Sequence, residues 1–360
     1  MLKKRYLAID IGSSKIKMVH GGLEKGKIVV YEYDTADTPA SSFEDGKITN
    51  IDTLTYAIRE LIRKNRIKEK NLVLTITGTG IITRDIQIPK STDEEIEKIL
   101  EFEAQQYFPV ELDNYILDFK VQEEIESGEG TFNRILLVAA PKNQVDEYMK
   151  LHKKLKMEIE AIDIPANNVF KFFFGESYQE KIFENKELPQ EFAALDVGAK
   201  TTGVYIFSSG KLKFSRILLN GSMDIDELIS SHLNVDFKQA EELKIMMGKL
   251  VGDDAENTTD EIVQMSNMIK PAVSNIMNDV SRFFEFYNSR SSGNRLERIY
   301  IFGGGSKLIG LDSYLSTYFG LPVEYLLPAG YIDYKGRKNQ EEFINDFILL
   351  VNAIGGVVRS

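Results

Sequence analysis

The chain has 360 residues, 44 Lys and Arg against 55 Asp and Glu, and a net charge of −11 with a pI near 5.1. Such an acidic chain is poorly matched to the phosphate backbone of nucleic acid, and 43% hydrophobic with 28% charged residues is globular rather than disordered composition. With no Cys and only His20, His152 and His232, it offers no thiol nucleophile, no disulfide and no zinc-type ligand cluster.

The apolar run over residues 6–9 meets Asp10-Ile-Gly12-Ser13-Ser14. Alternation at Ile16, Met18 and His20 then predicts a second strand, and turns at Gly21-Gly22 and Lys25-Gly26-Lys27 lead to a third over 28–33. A helix is expected over 53–65, with Leu54, Ala57, Ile58, Leu61 and Ile62 on one face, and a strand over 71–76. A different grammar follows. A strand over 81–88 leads to a helix from Ser91 to about Tyr107, with Asp93, Glu94 and Glu95 in its first turn and Pro109 ending it. Strands over 115–125 and 133–140 flank the turn 127–130, followed by a helix over 143–155 and a strand over 157–162. This β-α-β-β-α-β order predicts one small sheet with both helices on one face.

The opening pattern returns 186 residues later, with Asp196 and Gly198 in the places of Asp10 and Gly12. A repeat of three strands and two turns implies two similar domains facing one another. Helices are then expected over 237–249 and 259–288. In the second, Ile262, Met265, Ile269, Val273, Ile276, Val280, Phe283 and Tyr287 recur at helical spacing, and Pro271 should kink or split it. A buried-type strand over 296–302 runs into Gly303-Gly304-Gly305-Ser306, and a closing helix over 341–354 precedes Gly355-Gly356. The longest stretch without a charge is 13 residues, 71–83, short of the ~18 that suggest a membrane span. Asp10 comes too early for a signal peptide. A soluble cytoplasmic protein is the expectation.

A carboxylate at a strand end followed by small residues can hold a hydrated Mg²⁺ while bare N–H groups approach phosphate oxygens. Asp10, Gly12, Ser13, Ser14 and Lys15 form one such element, with Lys17 able to reach a phosphate as a point charge. Asp196, Gly198, Lys200, Thr201 and Thr202 form another. The glycine turn Gly303, Gly304, Gly305, Ser306 lets a base or phosphate come close to backbone, but it is neither a Walker loop nor a dinucleotide fingerprint.

In this order the three elements resemble the actin-like ATPase superfamily, whose α/β fold has two duplicated ribonuclease H-like lobes. Residues 10–17 look like its first phosphate loop, 196–202 its second and 302–306 its adenosine loop. Asp163-Ile-Pro165-Ala-Asn-Asn168 and Asn352-Ala-Ile-Gly-Gly356 resemble its two connecting segments. The segment 83–163 is similar to the βαββαβ (SHS2-type) subdomain inserted in FtsA and in the PilM family of type IV pilus assembly proteins. Glu101-Phe-Glu-Ala-Gln-Gln-Tyr-Phe-Pro109-Val, then Asp118, resembles the PilM family's helix, turn and strand. Ala240-Glu241-Glu242-Leu243-Lys244 resembles the superfamily's ribose- and adenine-binding helix. Asn220-Gly221-Ser222 departs from the Gly-Gly common in FtsA, and the chain stops after its closing helix without FtsA's amphipathic tail, which favours the PilM family.

The resemblance implies a first core lobe of 1–82, 164–190 and 340–360, the insertion at 83–163, and a second lobe of 191–339. Within that second lobe, 191–219 and 298–339 are core and 220–297 a helical subdomain. It implies ATP and Mg²⁺, the metal held through water by Asp10 and Asp196, and adenosine by Gly304–Ser306, Glu241 and Lys244. It implies a cytoplasmic adaptor held at the inner membrane by partners, without inserting into it and without nucleic acid. The partner would be a PilN-like membrane protein of a type IV pilus or type II secretion assembly. Its short cytoplasmic N-terminal peptide would dock between the first lobe and the insertion, with residues 86–88 and the insertion's helix as walls. Other pilus assembly proteins would join. Where chaperone-type members keep a catalytic Glu this chain has Ile164, so the neighbouring Asp163 is the candidate for orienting water, with slow turnover at most. An FtsA-like filament and a small-molecule kinase are the alternative readings. Gln105, Gln106 and Pro109 read as helix termination, His20 as structural and Asp253-Asp254 as a solvated turn.

Overall fold

The computed structural model describes residues 4–128, 130–175, 188–251, 259–290, 295–328 and 330–359. The Asp253-Asp254 turn lies outside them. Strand β1 (Tyr6–Ile11) is buried at every position, as its run of apolar side chains requires of a strand covered on both faces. It pairs antiparallel with β2 (Lys15–Glu24), which pairs with β3 (Lys27–Asp37). A short hairpin, β4 (Phe43–Glu44) and β5 (Lys47–Ile48), precedes α1 (Ile51–Lys64). That helix starts where Asn50 accepts a hydrogen bond from the Thr53 N–H, and it buries Leu54, Ile58 and Leu61. Strand β6 (Asn71–Thr75) then lies parallel to β1.

The insertion begins with β7 (Ile82–Pro89) and α2 (Asp93–Glu103), whose Thr92 and Glu95 form a reciprocal cap. Strands β8 (Tyr115–Ser127) and β9 (Gly130–Pro141) complete a sheet of order β7-β9-β8. The chain continues through α3 (Lys142–Leu155), β10 (Glu158–Asp163) and α4 (Pro165–Phe174). The element order matches the expected β-α-β-β-α-β, but the sheet does not. Strand β10 leaves the insertion and pairs parallel with β6, Asp163 opposite Thr75, extending the first lobe's sheet. Local pattern cannot distinguish the two fates, because a half-buried strand reads alike in either sheet and only its partner differs. The inserted sheet therefore closes at Pro141. Along β9 successive side chains serve two cores: Ile135, Leu137 and Ala139 fill the insertion, and Leu136 faces the first lobe.

The second lobe repeats the first. Strands β11 (Glu191–Val197), β12 (Thr202–Ser208) and β13 (Lys211–Leu218) form the antiparallel trio. Three helices follow, α5 (Met223–Leu233), α6 (Phe237–Met247) and α7 (Asp260–Arg290). Strand β14 (Arg298–Phe302), α8 (Leu311–Phe319) and β15 (Val323–Tyr325) complete it. Sheet order β10-β6-β1-β2-β3 in one lobe is matched by β15-β14-β11-β12-β13 in the other, with the same parallel and antiparallel senses. Helix α5 has no counterpart in the sequence reading. Helix α7 runs unbroken through Pro271, so the helix is not split there. Pro271 and Asn267, whose carbonyl loses its partner, both lie on the exposed face, where water replaces the lost bond.

Strand β16 (Ile332–Tyr334) crosses back to pair with β3, and α9 (Gln340–Gly356) packs on the first lobe. Helices α4 and α9 cross so closely that a Cβ on Gly355 would sit 2.0 Å from the Asn168 carbonyl oxygen. Phe173 on α4 packs edge-on to Phe192 of the second lobe (5.0 Å between centroids), and Phe172 packs on Phe347 of α9. The crossing thereby joins both lobes through one aromatic cluster.

Candidate functional site

The two lobes bring their repeated turns to one cleft. In the first, the Gly12 N–H donates to the Lys15 carbonyl at 2.9 Å; in the second, the Gly198 N–H donates to the Thr201 carbonyl at 2.9 Å. Asp10, 3% exposed, pairs across its sheet with Lys17, and Asp196 pairs with Gly203 at the equivalent register. Lys17 Nζ lies 2.9 Å from Asp10 Oδ2, and the two carboxylates are near enough for each to feel the other. A Cβ on Gly12 would stand 2.6 Å from that ammonium, so glycine is needed for the lysine to fold over the turn.

Asp196 has a different environment. Its Oδ2 accepts a 2.8 Å hydrogen bond from Asn352 Nδ2, an amide carried by α9. Burial pushes its carboxyl up to about 6, with the Asp10 charge adding to the rise and Lys17 and Asn352 opposing it. The same pattern without a charge recurs in the first lobe, where Asn168 Nδ2 on α4 donates to Thr75 Oγ1 at 2.9 Å. The Oδ1 atoms of Asn168 and Asn352 are both buried without a partner. Sequence reasoning placed these two amides in the connecting segments and gave neither a role at the site. Their signal was a polar residue inside an otherwise apolar helix, most visible in Ile348-Leu-Leu-Val-Asn352.

The glycine turn closes the second side of the cleft. Gly303 takes φ +89, and a Cβ there would meet Asp196 Oδ1 at 2.4 Å. Its N–H donates to the Ile348 carbonyl, tying the turn to α9. Ser306 is fully buried and spends its hydroxyl on the Gly303 carbonyl, 2.7 Å away, so it staples the turn. A Cβ on Gly305 would lie 3.0 Å from Ser222 Cβ, and Lys244 Nζ donates to the Ser222 carbonyl at 3.2 Å. Gly304, Gly305 and Lys244 are thus neighbours, and exposed Glu241 lies one helical turn before Lys244. Lys244 also pairs at 2.6 Å with Asp226, itself 1% exposed and held up by burial. Helix α5, absent from the sequence reading, supplies that partner.

Other expected residues sit at the cleft edge with different duties. Lys15 pairs outward with Asp37, and Lys200 is exposed. Thr202 donates its hydroxyl to the Asn220 carbonyl and is fully buried, while Thr201, Ser13 and Ser14 are half-buried on the turns. Asp163 shares the sheet edge with Thr75 but is committed: its oxygens accept from Lys171 Nζ at 2.7 Å, Asn167 Nδ2 at 2.8 Å, the Ile164 N–H at 2.9 Å and Arg359 Nη1 at 3.2 Å. Burial would raise its carboxyl, and the two cations and Asn167 override that, holding it at about 2. So saturated a carboxylate is a junction of β10, α4 and the chain end. It has no oxygen left over to orient a water molecule. In the insertion, Gln105 donates its amide to the Val110 carbonyl at 2.8 Å, as helix termination requires. Ile88 turns into the insertion's core and Ile86 is half-buried, so only part of the proposed 86–88 wall is open.

These features suit a magnesium-bound polyphosphate. Among the described residues no three metal-ligating side chains converge, so a divalent cation would need phosphate oxygens and water beyond Asp10 and Asp196. Asp196, whose carboxyl burial pushes up to about 6, is the carboxylate that gains most from an added cation.

A family model described as "Type IV pilus assembly protein PilM" matches residues 8–360. The chain is 21% identical over 280 residues to the cell division protein FtsA of Bacillus subtilis (strain 168), covering 72% of this chain and 61% of that protein. It is 29% identical over 133 residues to FtsA of Helicobacter pylori (strain ATCC 700392 / 26695), covering 36% of this chain and 25% of that protein. The chain thus spans less than two thirds of the length of these curated relatives. Among solved structures, a PilM–PilN type IV pilus biogenesis complex superimposes with a TM-score of 0.83 at 23% identity, covering 99% of both chains. The ethanolamine utilization protein EutJ of Carboxydothermus hydrogenoformans gives 0.57 at 12% identity, covering 100% of this chain and 91% of that one. AMPPNP-bound MreB 5 of Spiroplasma citri gives 0.53 at 14%, covering 98% and 94%. The fold is the actin-like one.

Proposed function

The chain belongs to the PilM family of type IV pilus assembly proteins, and on that premise we propose that it is a nucleotide-gated adaptor. It binds Mg·ATP between its lobes and captures the short cytoplasmic N-terminal peptide of a PilN-like membrane protein. The observation that carries the reading is the pair Asp10 and Asp196, delivered from equivalent strand ends of the two lobes with one lysine between them. A triphosphate touching both turns favours the arrangement in which both reach it. Bound Mg²⁺ supplies positive charge to the phosphates. The chain's own groups do the rest: Lys17 and the Gly12 and Gly198 turns hold phosphate, Asp10 and Asp196 hold the hydrated metal, and Gly304, Gly305, Lys244 and Glu241 flank adenosine. No free carboxylate stands at Asp163, which argues for binding with slow turnover at most.

Gating has a route through the insertion, which touches both lobes. Lys120 on β8 donates to Asn167 on α4 at 3.3 Å. On the other side Thr83 of β7 shares a 2.8 Å hydrogen bond with Ser215 of β13, and Lys211 pairs with Glu123. A shift of one lobe against the other works these contacts and so alters the surface of the insertion, on which Phe102 of α2 stands 85% exposed. An apolar peptide laid in a groove is an established recognition mode. The test is titration of the purified chain with a fluorescent N-terminal peptide of its PilN-like partner, with and without Mg·ATP. A changed peptide affinity supports the adaptor, and no peptide binding under either condition refutes it.

A further inference from the structure

We propose that the end of the first lobe opposite the nucleotide cleft is an electrostatic docking face for the anionic surface of a phospholipid bilayer. Strands β1, β6 and β10 run parallel, so the segments entering them share one end while Asp10, Thr75 and Asp163 share the other. Those entering segments, 4–5, 63–70 and 152–156, hold ten Lys and Arg and one carboxylate in a chain whose net charge is −11; four of the ten, Lys4, Arg63, Lys64 and Lys154, pair with Glu160, Glu60, Asp34 and Asp52 outside the segments. The segments are tied together directly. Asn71 Nδ2 donates to the Arg5 carbonyl at 3.2 Å, and the Glu158 N–H donates to the Lys70 carbonyl at 2.9 Å.

Arg66, Lys68, Lys70, Lys153 and Lys156 are exposed, and among the described residues none has an ion-pair partner. Arg5 lies over the Tyr31 ring at 3.9 Å and lines a shallow cleft with Arg66, Lys68 and Lys70. Glu69, the one carboxylate of the three segments, folds back to accept from the Lys70 and Asn71 N–H groups at 2.8 and 2.9 Å. Exposed Glu158 is an acidic neighbour at the rim, Glu32 lines the same cleft and pairs with Arg337, and Glu160 is occupied by Lys4. Unpaired cations held apart on two neighbouring segments are costly to keep together, yet they suit a fluid layer of mobile phosphates that can rearrange to meet them. Single-stranded nucleic acid is instead gripped by a groove with aromatic stacking platforms. Here Tyr31 is covered by Arg5, and Tyr6, beside Lys4, is fully buried, so neither ring presents an open stacking face.

The inference rests on the adaptor reading only for its choice of a membrane as the source of phosphate. Its test is sedimentation of the full chain with vesicles of phosphatidylcholine alone and of phosphatidylcholine mixed with phosphatidylglycerol, at low and high salt. The expected result is retention by the mixed vesicles at low salt, release at high salt, and no retention by phosphatidylcholine. The variant Lys68→Glu, Lys70→Glu, Lys153→Glu, Lys156→Glu is expected to lose at least about tenfold in retention, since each headgroup-facing cation counts. Lys238→Glu with Lys249→Glu, exposed on the second lobe, is expected to change it little. Equal retention of the four-site variant, binding indifferent to lipid charge, or tighter binding of a duplex oligonucleotide would overturn the proposal. Peptide titration of the four-site variant separates the two readings. Vesicle loss with peptide capture intact is expected here, whereas absent capture by the unaltered chain refutes the adaptor alone.

Discussion

Asp10 and Asp196 occupy the same register position in two lobes of the same topology, and the residue across the strand from each differs. Across the strand from Asp10 stands Lys17, its ammonium 2.9 Å away; across from Asp196 stands Gly203. Lys17 therefore serves two carboxylates, and the second is left with an amide from Asn352 and a carboxyl pushed up to about 6 by burial and by Asp10. The two lobes share a scaffold, and one cation stands in the first where the second has none. What the difference teaches is where an incoming positive charge gains most: at the second lobe's carboxylate, across the cleft from the lysine.

The largest effect on stability is expected away from that pair. Asp163→Ala removes the carboxylate that Lys171, 1% exposed, and Arg359 both contact, and breaking a buried ion pair from one side costs roughly 3–5 kcal/mol. Chemical denaturation should register this with and without Mg·ATP; an unchanged midpoint would remove Asp163 as the junction. Because its carboxyl is held below the ordinary value, at about 2, the stability it contributes is full above about pH 4 and is lost as pH falls through about 2.

Next comes Lys17→Met, which leaves two facing carboxylates without their shared cation. A loss of about 2–4 kcal/mol at neutral pH is expected, shrinking as the solution is acidified and the carboxylates take up protons. A loss that does not vary with pH would mean that the lysine acts by packing and not by charge. Asn352→Ala removes one hydrogen bond to a charged group, about 1.5–3 kcal/mol, and should push the Asp196 carboxyl further up. Smallest is Thr83→Ala, which deletes one polar contact between insertion and second lobe and should cost about 0.5–1.5 kcal/mol. Its use is sharper in binding: if the insertion senses lobe closure, Thr83→Ala weakens the dependence of peptide affinity on Mg·ATP.

Much of this was legible in the sequence. The repeat could be read because Asp10 and Asp196, Gly12 and Gly198 keep one offset of 186 residues, and the offset holds through Lys17 and Gly203 in the paired strands. Helix α5 was missed because Met223-Asp-Ile-Asp-Glu-Leu-Ile follows a glycine turn without an N-capping side chain. Strand β10 was assigned to the wrong sheet because alternation reports a half-buried face and not the neighbour that buries it. The commitments of Asp163, Ser306 and Lys244 were invisible for a related reason. Each depends on a partner remote in the chain or on a turn geometry, and sequence spacing names residue types without naming what they touch.

The central claim is tested most directly by Asp196→Asn. The substitution keeps the shape of the side chain and an oxygen for Asn352, and it removes a charge that folding tolerates at a cost. The apo protein should melt at the same temperature as the unaltered chain or higher, gaining ~1–3 kcal/mol at neutral pH, and the rise in melting temperature that Mg·ATP gives the unaltered chain should vanish. A variant that melts lower without nucleotide and still responds fully to Mg·ATP would contradict the account.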